Sequence, residues 1–528
     1  MRPRLGIIAA TAALALTGCS GGSGDPQPET TRGAGTASAS AQKAESGPDG
    51  FADEAKDIVD SFSDDELAGS LIIGTWSGAD TQTGVNLVED NHLGGVIVMA
   101  DNLPENPTPD EVEGVTKAID GARSERQPVS IGVDQEGGPV SRLSTAALPF
   151  PPLMALSAAH DPELTQVATK VQGQNLAELG FTIDFAPVAD VTTGEKDVTI
   201  NVRSAGDDHQ EAAEVVAQAA TGYQLGGVAG SAKHFPGHGR LHDDSHTTLP
   251  VSQKSIRELE DTDLLPFKSA VQAGIPMVMM GHIGLPEAET TPATLNGKAY
   301  EALRDTLDFD GVIITDALNM EAVDQSQDGG ETVKALAAGA DLALMPPDSA
   351  AAQRAVVAAM DSGELERPDL EEKAQRVVAM QLATAQKQKT MGSAGDSEDP
   401  QEVLTDVAEK SLTVLKGQCS YKGTDSISIV GGSEKEKSEL TKAAKDAGLE
   451  VGSGGTSVSL SPDTSAEVAV GTAAPWTMRD TPAKAAVTAY DSNPDALKAV
   501  AKWLKGDLSA SGDLPVEYDG SDKAPDCS

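Results

Sequence analysis

Between residues 51 and 382 the chain alternates short apolar runs with longer segments whose apolar residues recur every three or four positions. The runs are 71–74 (LIIG), 94–99 (GGVIVM), 129–134 (VSIGVD), 181–190 (FTIDFAPVAD), 227–234 (GVAGSAKH), 275–282 (IPMVMMGH), 311–316 (GVIITD) and 340–346 (ADLALMP). Segments such as 161–179, 210–225 and 255–273 carry the spacing of amphipathic helices. Eight strand-like runs, each followed by a helical pattern over about 330 residues, predict an α/β protein built on a (β/α)8 barrel. A doubly wound open sheet is the alternative, but no Gly-x-Gly-x-x-Gly loop follows the first run.

Polar residues sit where barrel chemistry needs them. Asp134, Asp190, Lys233, His234, His282 and Asp316 all lie at the ends of their runs. Side chains at the C-terminal ends of barrel strands converge on one mouth, so six of them among eight strands make a pocket. The barrel is expected to span 51–386 and a Gln-, Lys-, Gly-, Ser- and Asp-rich linker 387–402. After it, 403–528 alternates again (SISIVGG at 426–432, a helix at 434–447, AEVAVGT at 466–472, a helix at 494–504) and predicts a small α/β domain without a catalytic constellation.

The first residues, MRPRLGIIAATAALALTGCS, combine a basic start with an apolar run too short to span a bilayer, which reads as a secretory signal over 1–18. Its end, Leu16-Thr17-Gly18-Cys19, resembles the lipobox of bacterial lipoproteins. The resemblance implies lipidation of Cys19 and anchoring at the outer face of the cytoplasmic membrane; the alternative is an ordinary signal with a chance cysteine. Residues 19–50, rich in Gly, Ser, Thr, Pro and Ala, cannot pack and read as a flexible tether. Cys419 and Cys527 are the other two cysteines, and in an exported protein they suggest a disulfide, with two buried thiols as the alternative. A net charge of −43 excludes nucleic acid as an electrostatic partner and otherwise reads as a solvated acidic surface.

The stretch KHFPGHGRLHDDSH places His234, His238, His242 and His246 four residues apart. On a helix that spacing would make a metal stripe. Pro236, Gly237 and Gly239 exclude a helix, so no metal is expected. Lys233 and His234 end a strand, the glycines let the next loop fold over the mouth, and the loop presents Asp244-Ser245-His246. A carboxylate beside an imidazole orients it and selects its tautomer, which suits His246 to giving and taking a proton. Asp316 is the complementary carboxylate nucleophile.

KHFPGHG followed after four residues by DSH closely resembles glycoside hydrolase family 3, in its β-N-acetylhexosaminidase branch. VDQEGG (133–138), NVRS (201–204) and ITDALNM (314–320) agree in the family's order, and 492–516 resembles the end of the family's second, sandwich-like domain. The resemblance implies a retaining exo-β-N-acetylglucosaminidase that needs no cofactor and acts as a monomer on glycans with terminal N-acetylglucosamine. In it Asp316 is the nucleophile, His246 the general acid/base and Asp244 its dyad partner. Asp134, Arg142, Arg203, Lys233 and His234 bind the terminal sugar. Asp134 and Arg142 could instead form a structural ion pair, and Lys233 a counter-ion for Asp316. His238, His242 and His282 read as packing or hydrogen-bonding residues. Pro139 stands where the family usually has Arg, which bears on the loop around Asp134.

Three other readings stay open. Donation from an imidazole leaves no negative charge beside an incoming anion, so a phosphorylase is one. A sugar-binding lipoprotein without chemistry is another, disfavoured by the presence of both His246 and Asp316. A β-glucosidase is the third, disfavoured by the DSH dyad.

Overall fold

A computed structural model describes residues 48–122, 128–241, 243–323, 328–391, 398–462 and 465–518, with Pro525 and Cys527. The signal, residues 19–47 of the tether with Cys19, and His242 lie outside the described residues, and the tether's last three residues belong to the short turn Pro48–Phe51.

Each of the eight apolar runs contains a strand: β1 (Ile72–Gly74), β2 (Gly95–Ile97), β3 (Ser130–Val133), β4 (Ile183–Asp184), β5 (Ala229–Phe235), β6 (Met277–Met280), β7 (Val312–Thr315) and β8 (Ala343–Leu344). They pair in parallel in the order β7-β6-β5-β4-β3-β2-β1-β8. A parallel bridge between Ile314 and Leu342 brings the two ends of this order together, so the sheet closes into a barrel. The runs read as continuously apolar because both faces are covered. Ile73, Ile97, Met277, Met279, Val312 and Ile314 point inward and fill the barrel with Val377 and Met380 of the helix Arg367–Met391. Val96, Val98, Val278, Met280 and Ile313 point outward into the layer packed by the helices.

The helices begin where their sequences say they should. Asp161 caps Pro162–Glu178, with Pro in the first turn, and Asp208 caps His209–Leu225. The single helix expected over 255–273 is two, Ile256–Leu259 and Leu265–Gln272. Pro266 has no N–H and clashes with a preceding turn, so it begins a new helix. The helix Arg367–Met391 runs past residue 386 into the stretch expected to be linker. There the Gln388 amide donates to the carbonyls of Phe181 and Gly227, both at 2.9 Å, and holds this extension on the barrel's underside.

One buried carboxylate organises the end of the barrel opposite the mouth. Asp341, fully buried just before β8, accepts from Arg304 Nη2 (2.6 Å), Arg376 Nη1 (2.9 Å) and the Ile313 N–H (2.7 Å). It thereby joins β7 to the helices Gly297–Leu307 and Arg367–Met391.

The C-terminal domain is one mixed sheet of β9 (Thr413–Lys416), β10 (Ser426–Val430), β11 (Glu450–Val451), β12 (Thr456–Ser459), β13 (Val468–Gly471) and β14 (Ala485–Thr488). Their order is β9-β14-β13-β12-β10-β11, with only β9 antiparallel to its neighbour. Ser433 and Glu436 form a capping box on the helix Glu434–Asp446. Asn493 caps Pro494–Lys505, which ends at Gly506 with φ +87°. A disulfide joins Cys419 to Cys527 across 108 residues, with Cα atoms 5.6 Å apart.

Two stability predictions follow from these anchors. Asp341→Ala removes the partner shared by Arg304, Arg376 and the Ile313 N–H and should lower stability by about 2–4 kcal/mol, read from the urea midpoint; a loss under about 1 kcal/mol would show that Asp341 is not the anchor. Opening the Cys419–Cys527 loop should cost the C-terminal sheet roughly 2–4 kcal/mol. Mass spectrometry of unreduced digests should show one crosslinked peptide pair. Two separately alkylated thiols would refute the bridge.

Candidate active site

The mouth is built around an ammonium group. Lys233, near the end of β5, is almost wholly buried, and its Nζ lies 2.7 Å from both Asp134 Oδ1 and Glu136 Oε1. Glu136 also takes a two-pronged contact from Arg203, with Nε to Oε2 and Nη2 to Oε1 both at 2.8 Å. Arg203 sits on the short turn Asn201–Arg203, and its Nη1 donates to the Thr199 carbonyl. Burial would raise the Glu136 carboxyl, but the adjacent Arg203 and Lys233 outweigh it and hold it far below the usual range. Burial would likewise lower Lys233, and Asp134 and Glu136 reverse that. Two cations face two anions here. A third carboxyl below them, Asp184, has no cation in contact among the described residues and accepts there from the Gln135 N–H at 3.0 Å. Burial pushes it up to about 8, opposed by the Gln135 N–H and the Lys233 charge.

Glu136 escaped the sequence reading although the signal was present. Residues two apart on an extended chain share a face, so Asp134 and Glu136 point to the same cation while Gln135 points away. The Gln135 side chain instead accepts from the Arg142 and Leu143 N–H groups and donates to Ser141 Oγ. This secures the ribbon of Gln135–Gly137 and Val140–Ser141, which forms with Pro139 exposed at its turn. The structural pairing of Asp134 with Arg142 is not found: Asp134 contacts Lys233, and Arg142 Nε has no partner among the described residues. Lys233 pairs with Asp134 and Glu136 rather than Asp316, although its charge still acts on Asp316.

Beside this network Asp190 holds two histidines. Its carboxylate accepts from the His234 backbone N–H, lies 2.7 Å from His234 Nδ1, and accepts from the His238 N–H at 2.6 Å. The chain then leaves the barrel as a loop. Gly237 has φ +120°, and a Cβ on Gly239 would stand 2.4 Å from the Val191 carbonyl oxygen, so both glycines are required by the path. The loop returns with Asp244, which is half-buried, and His246, which is exposed. Asp244 Oδ1 lies 2.8 Å from His246 Nδ1 and accepts from the His246 backbone N–H at 2.9 Å. Partial burial would raise the Asp244 carboxyl, but these two hydrogen bonds outweigh it and lower it. An ionised carboxylate only accepts, so Nδ1 carries the proton in this contact. The three described histidines of the four-residue series thus engage Asp190, Ser245 and Asp244 separately.

Asp316 directly follows β7 and is half-buried, its Oδ1 accepting from the Ala317 N–H at 2.8 Å. Burial would raise it, but His282, His234, the Ala317 N–H and Lys233 together hold it below the ordinary carboxylate value. His282 is fully buried, with Nε2 2.9 Å from the Ala317 carbonyl and Nδ1 2.7 Å from Thr294 Oγ. Burial lowers its pKa against the pull of Asp316. The charge of His246 also acts on His282, which links the exposed dyad electrostatically to the Asp316 pocket. No hydrogen bond joins the dyad to Asp316 among the described residues.

The C-terminal domain reaches the back of this site. Val202, next to Arg203, is packed in one apolar cluster with Met154, Ala474, Trp476, Tyr490 and Val516. The Asp207 N–H donates to the Pro515 carbonyl, and the Glu517 N–H to Asp207 Oδ2. The turn carrying Arg203 is therefore braced by the second domain, a role its lack of chemical motifs concealed.

A model described as the glycosyl hydrolase family 3 N terminal domain matches residues 65–380. Beta-hexosaminidase A of Pseudoalteromonas piscicida is 32% identical over 282 residues, covering 49% of this chain and 47% of that protein, so the chain spans about half of that relative's length. Beta-hexosaminidase LpqI of Mycobacterium tuberculosis is 33% identical over 355 residues, covering 64% of this chain and 86% of its own. Among solved structures, a family 3 beta-N-acetylglucosaminidase from Paenibacillus sp. superimposes with a TM-score of 0.76 at 26% identity, covering 88% of this chain and all of that one. A barrel with its polar mouth, a second mixed sheet and a family match over most of the barrel together show that the chain belongs to glycoside hydrolase family 3.

Proposed function

We propose that this glycoside hydrolase is a retaining exo-β-N-acetylglucosaminidase that removes terminal β-linked N-acetylglucosamine from cell-wall-derived or related glycans. The observation that carries the reading is the Asp244–His246 pair at 2.8 Å, held on the loop after β5 while the lowered Asp316 carboxyl stands at the end of β7. The names of the similar beta-hexosaminidases and of the Paenibacillus beta-N-acetylglucosaminidase support the sugar. Cys19 as a lipid anchor, with the tether placing the enzyme at the outer face of the membrane, belongs to the same proposal. It is compatible with the finding that no described helix is long and apolar enough to cross a membrane.

The mechanism divides the work between the two sides of the mouth. Asp134, Lys233, His234, Arg203 and Arg142 take the hydroxyls and acetamido group of the terminal sugar, since charged donors and acceptors bind neighbouring polar groups in pairs. The Asp316 carboxylate attacks the anomeric carbon and forms the glycosyl-enzyme ester. His246 Nε2 gives its proton to the departing oxygen, and its neutral ring then takes a proton from water as the water attacks the ester. Asp244 fixes the tautomer and the ring's orientation for that transfer. The product keeps its β configuration.

Asp316→Asn should reduce kcat by several orders of magnitude while thermal unfolding shows an intact fold. Retention of more than about a tenth of the rate would remove Asp316 as nucleophile, because losing even a general acid or base typically costs about 100-fold or more. Parallel assays on aryl β-N-acetylglucosaminide and aryl β-glucoside, with and without phosphate, test sugar and acceptor. Release of sugar phosphate in place of free sugar would identify a phosphorylase.

His246→Ala should slow poor leaving groups far more than activated aryl glycosides, which depart without a proton. Azide should partly restore turnover by attacking the glycosyl-enzyme unaided, and Asp244→Ala should give a milder form of the same pattern. Chelator-sensitive activity restored by zinc would instead favour a metal site.

A further inference from the structure

The dyad is largely exposed, yet a general acid displaced by about an ångström from its productive position loses much of its effect. The side chains of Asp244 and His246 are 42% and 64% accessible, and their mutual hydrogen bonds fix each only relative to the other. The Thr247 and Thr248 N–H groups donate to the Asp244 carbonyl, so these bonds too stay inside the turn. Between the two, Ser245 is 3% accessible and points the other way. Its Oγ lies 3.2 Å from Nε2 of His238, itself 2% accessible.

His238 is in turn immobilised on the barrel. Its N–H donates to Asp190 Oδ1, its carbonyl accepts from Leu241, and Gly237 beside it donates to the His234 carbonyl. Asp190 is the carboxylate that also holds His234. The chain of contacts therefore runs from a fixed carboxylate, through His238, to the residue between the two members of the dyad. Burial pushes the His238 imidazole down to about 4 against the pull of Asp190 and Asp316, so the ring is neutral at working pH and the contact is not broken by its charging.

We propose that the His238–Ser245 contact is the pin that fixes the Asp244–His246 turn against the barrel, making both residues positioning residues for proton transfer to the leaving group. The inference rests on the dyad reading above and gives the hydrogen bond expected of His238 a purpose. His238 acts through Ser245 and touches no reacting atom.

The test uses the full-length enzyme and a series of aryl β-N-acetylglucosaminides of graded leaving-group pKa. Ser245→Ala deletes one oxygen, and His238→Gln removes the imidazole while keeping a polar group. In each variant kcat/KM should fall about 10–100-fold for the poorest leaving groups, a fraction of a full acid's contribution, and by less than about threefold for the best. Inhibition by free N-acetylglucosamine should be unchanged, since the sugar-binding network is untouched. Adding Ser245→Ala to His246→Ala should cost nothing further. A uniform loss across all leaving groups, or a loss additive with His246→Ala, would overturn the pin while leaving the dyad in place. A flat leaving-group dependence in His246→Ala itself would overturn the dyad reading and the pin with it. If His238→Gln fails to fold, the Ser245→Ala series decides alone.

Discussion

A lysine ammonium buried among carboxylates is the constraint on which the mouth of this barrel depends. Taking Lys233, Glu136, Asp134 and Arg203 out of water costs several kcal/mol per ion unless each finds close partners. They do so with every separation at 2.7–2.8 Å. Such contacts survive only when β3, β5 and the turn carrying Arg203 sit in one arrangement, since a shift of an ångström strands a buried charge. The same balance explains Asp184. With two cations already matched to two anions, a third carboxyl beneath them is pushed up to about 8 and keeps its proton, which costs less than a further buried charge.

The second domain belongs to this constraint. Arg203 is carried on a short turn rather than a strand, and a turn alone does not fix a guanidinium to hydrogen-bonding accuracy. Val202 is locked into an apolar cluster with Trp476, Tyr490 and Val516, and the following residues bond the segment at Pro515 and Glu517. The C-terminal sheet thus helps to hold the segment that carries Arg203 by packing against it.

The sequence revealed what depends on local pattern. All eight barrel strands lie within continuous apolar runs, because strands covered on both faces leave no polar alternation to obscure them. Asp134, Lys233, His234 and Asp316 were legible because strand ends are marked by the point where apolar residues stop. Glu136 was missed because attention stopped at the strand end, though the two-residue repeat continues one step into the ribbon. Asp341 and the His238–Ser245 contact join residues 28 and 7 positions apart, through closures that no single-segment pattern announces. The extent of the helix Arg367–Met391 was hidden by composition: its last turns are mostly polar, yet Gln388 and Met391 reach back to Gly227 on the barrel.

The two sides of the mouth differ in burial, and the proposed chemistry requires it. Groups that hold the sugar need a constant charge and a constant position, so Lys233, Arg203 and their carboxylates are enclosed. The acid/base has the opposite need. His246 must lose a proton in one half-reaction and take one from water in the next, which a ring sealed from solvent could not do readily. Its exposure admits water and leaving groups of varied size, at the expense of orientation. Asp244 restores the tautomer and ring angle, and the buried Ser245 restores the link to the barrel. A loop with a buried residue between two accessible ones meets both demands. That is a physical reason for a small hydroxyl residue between the aspartate and the histidine: it is short enough to turn inward without drawing its neighbours out of water.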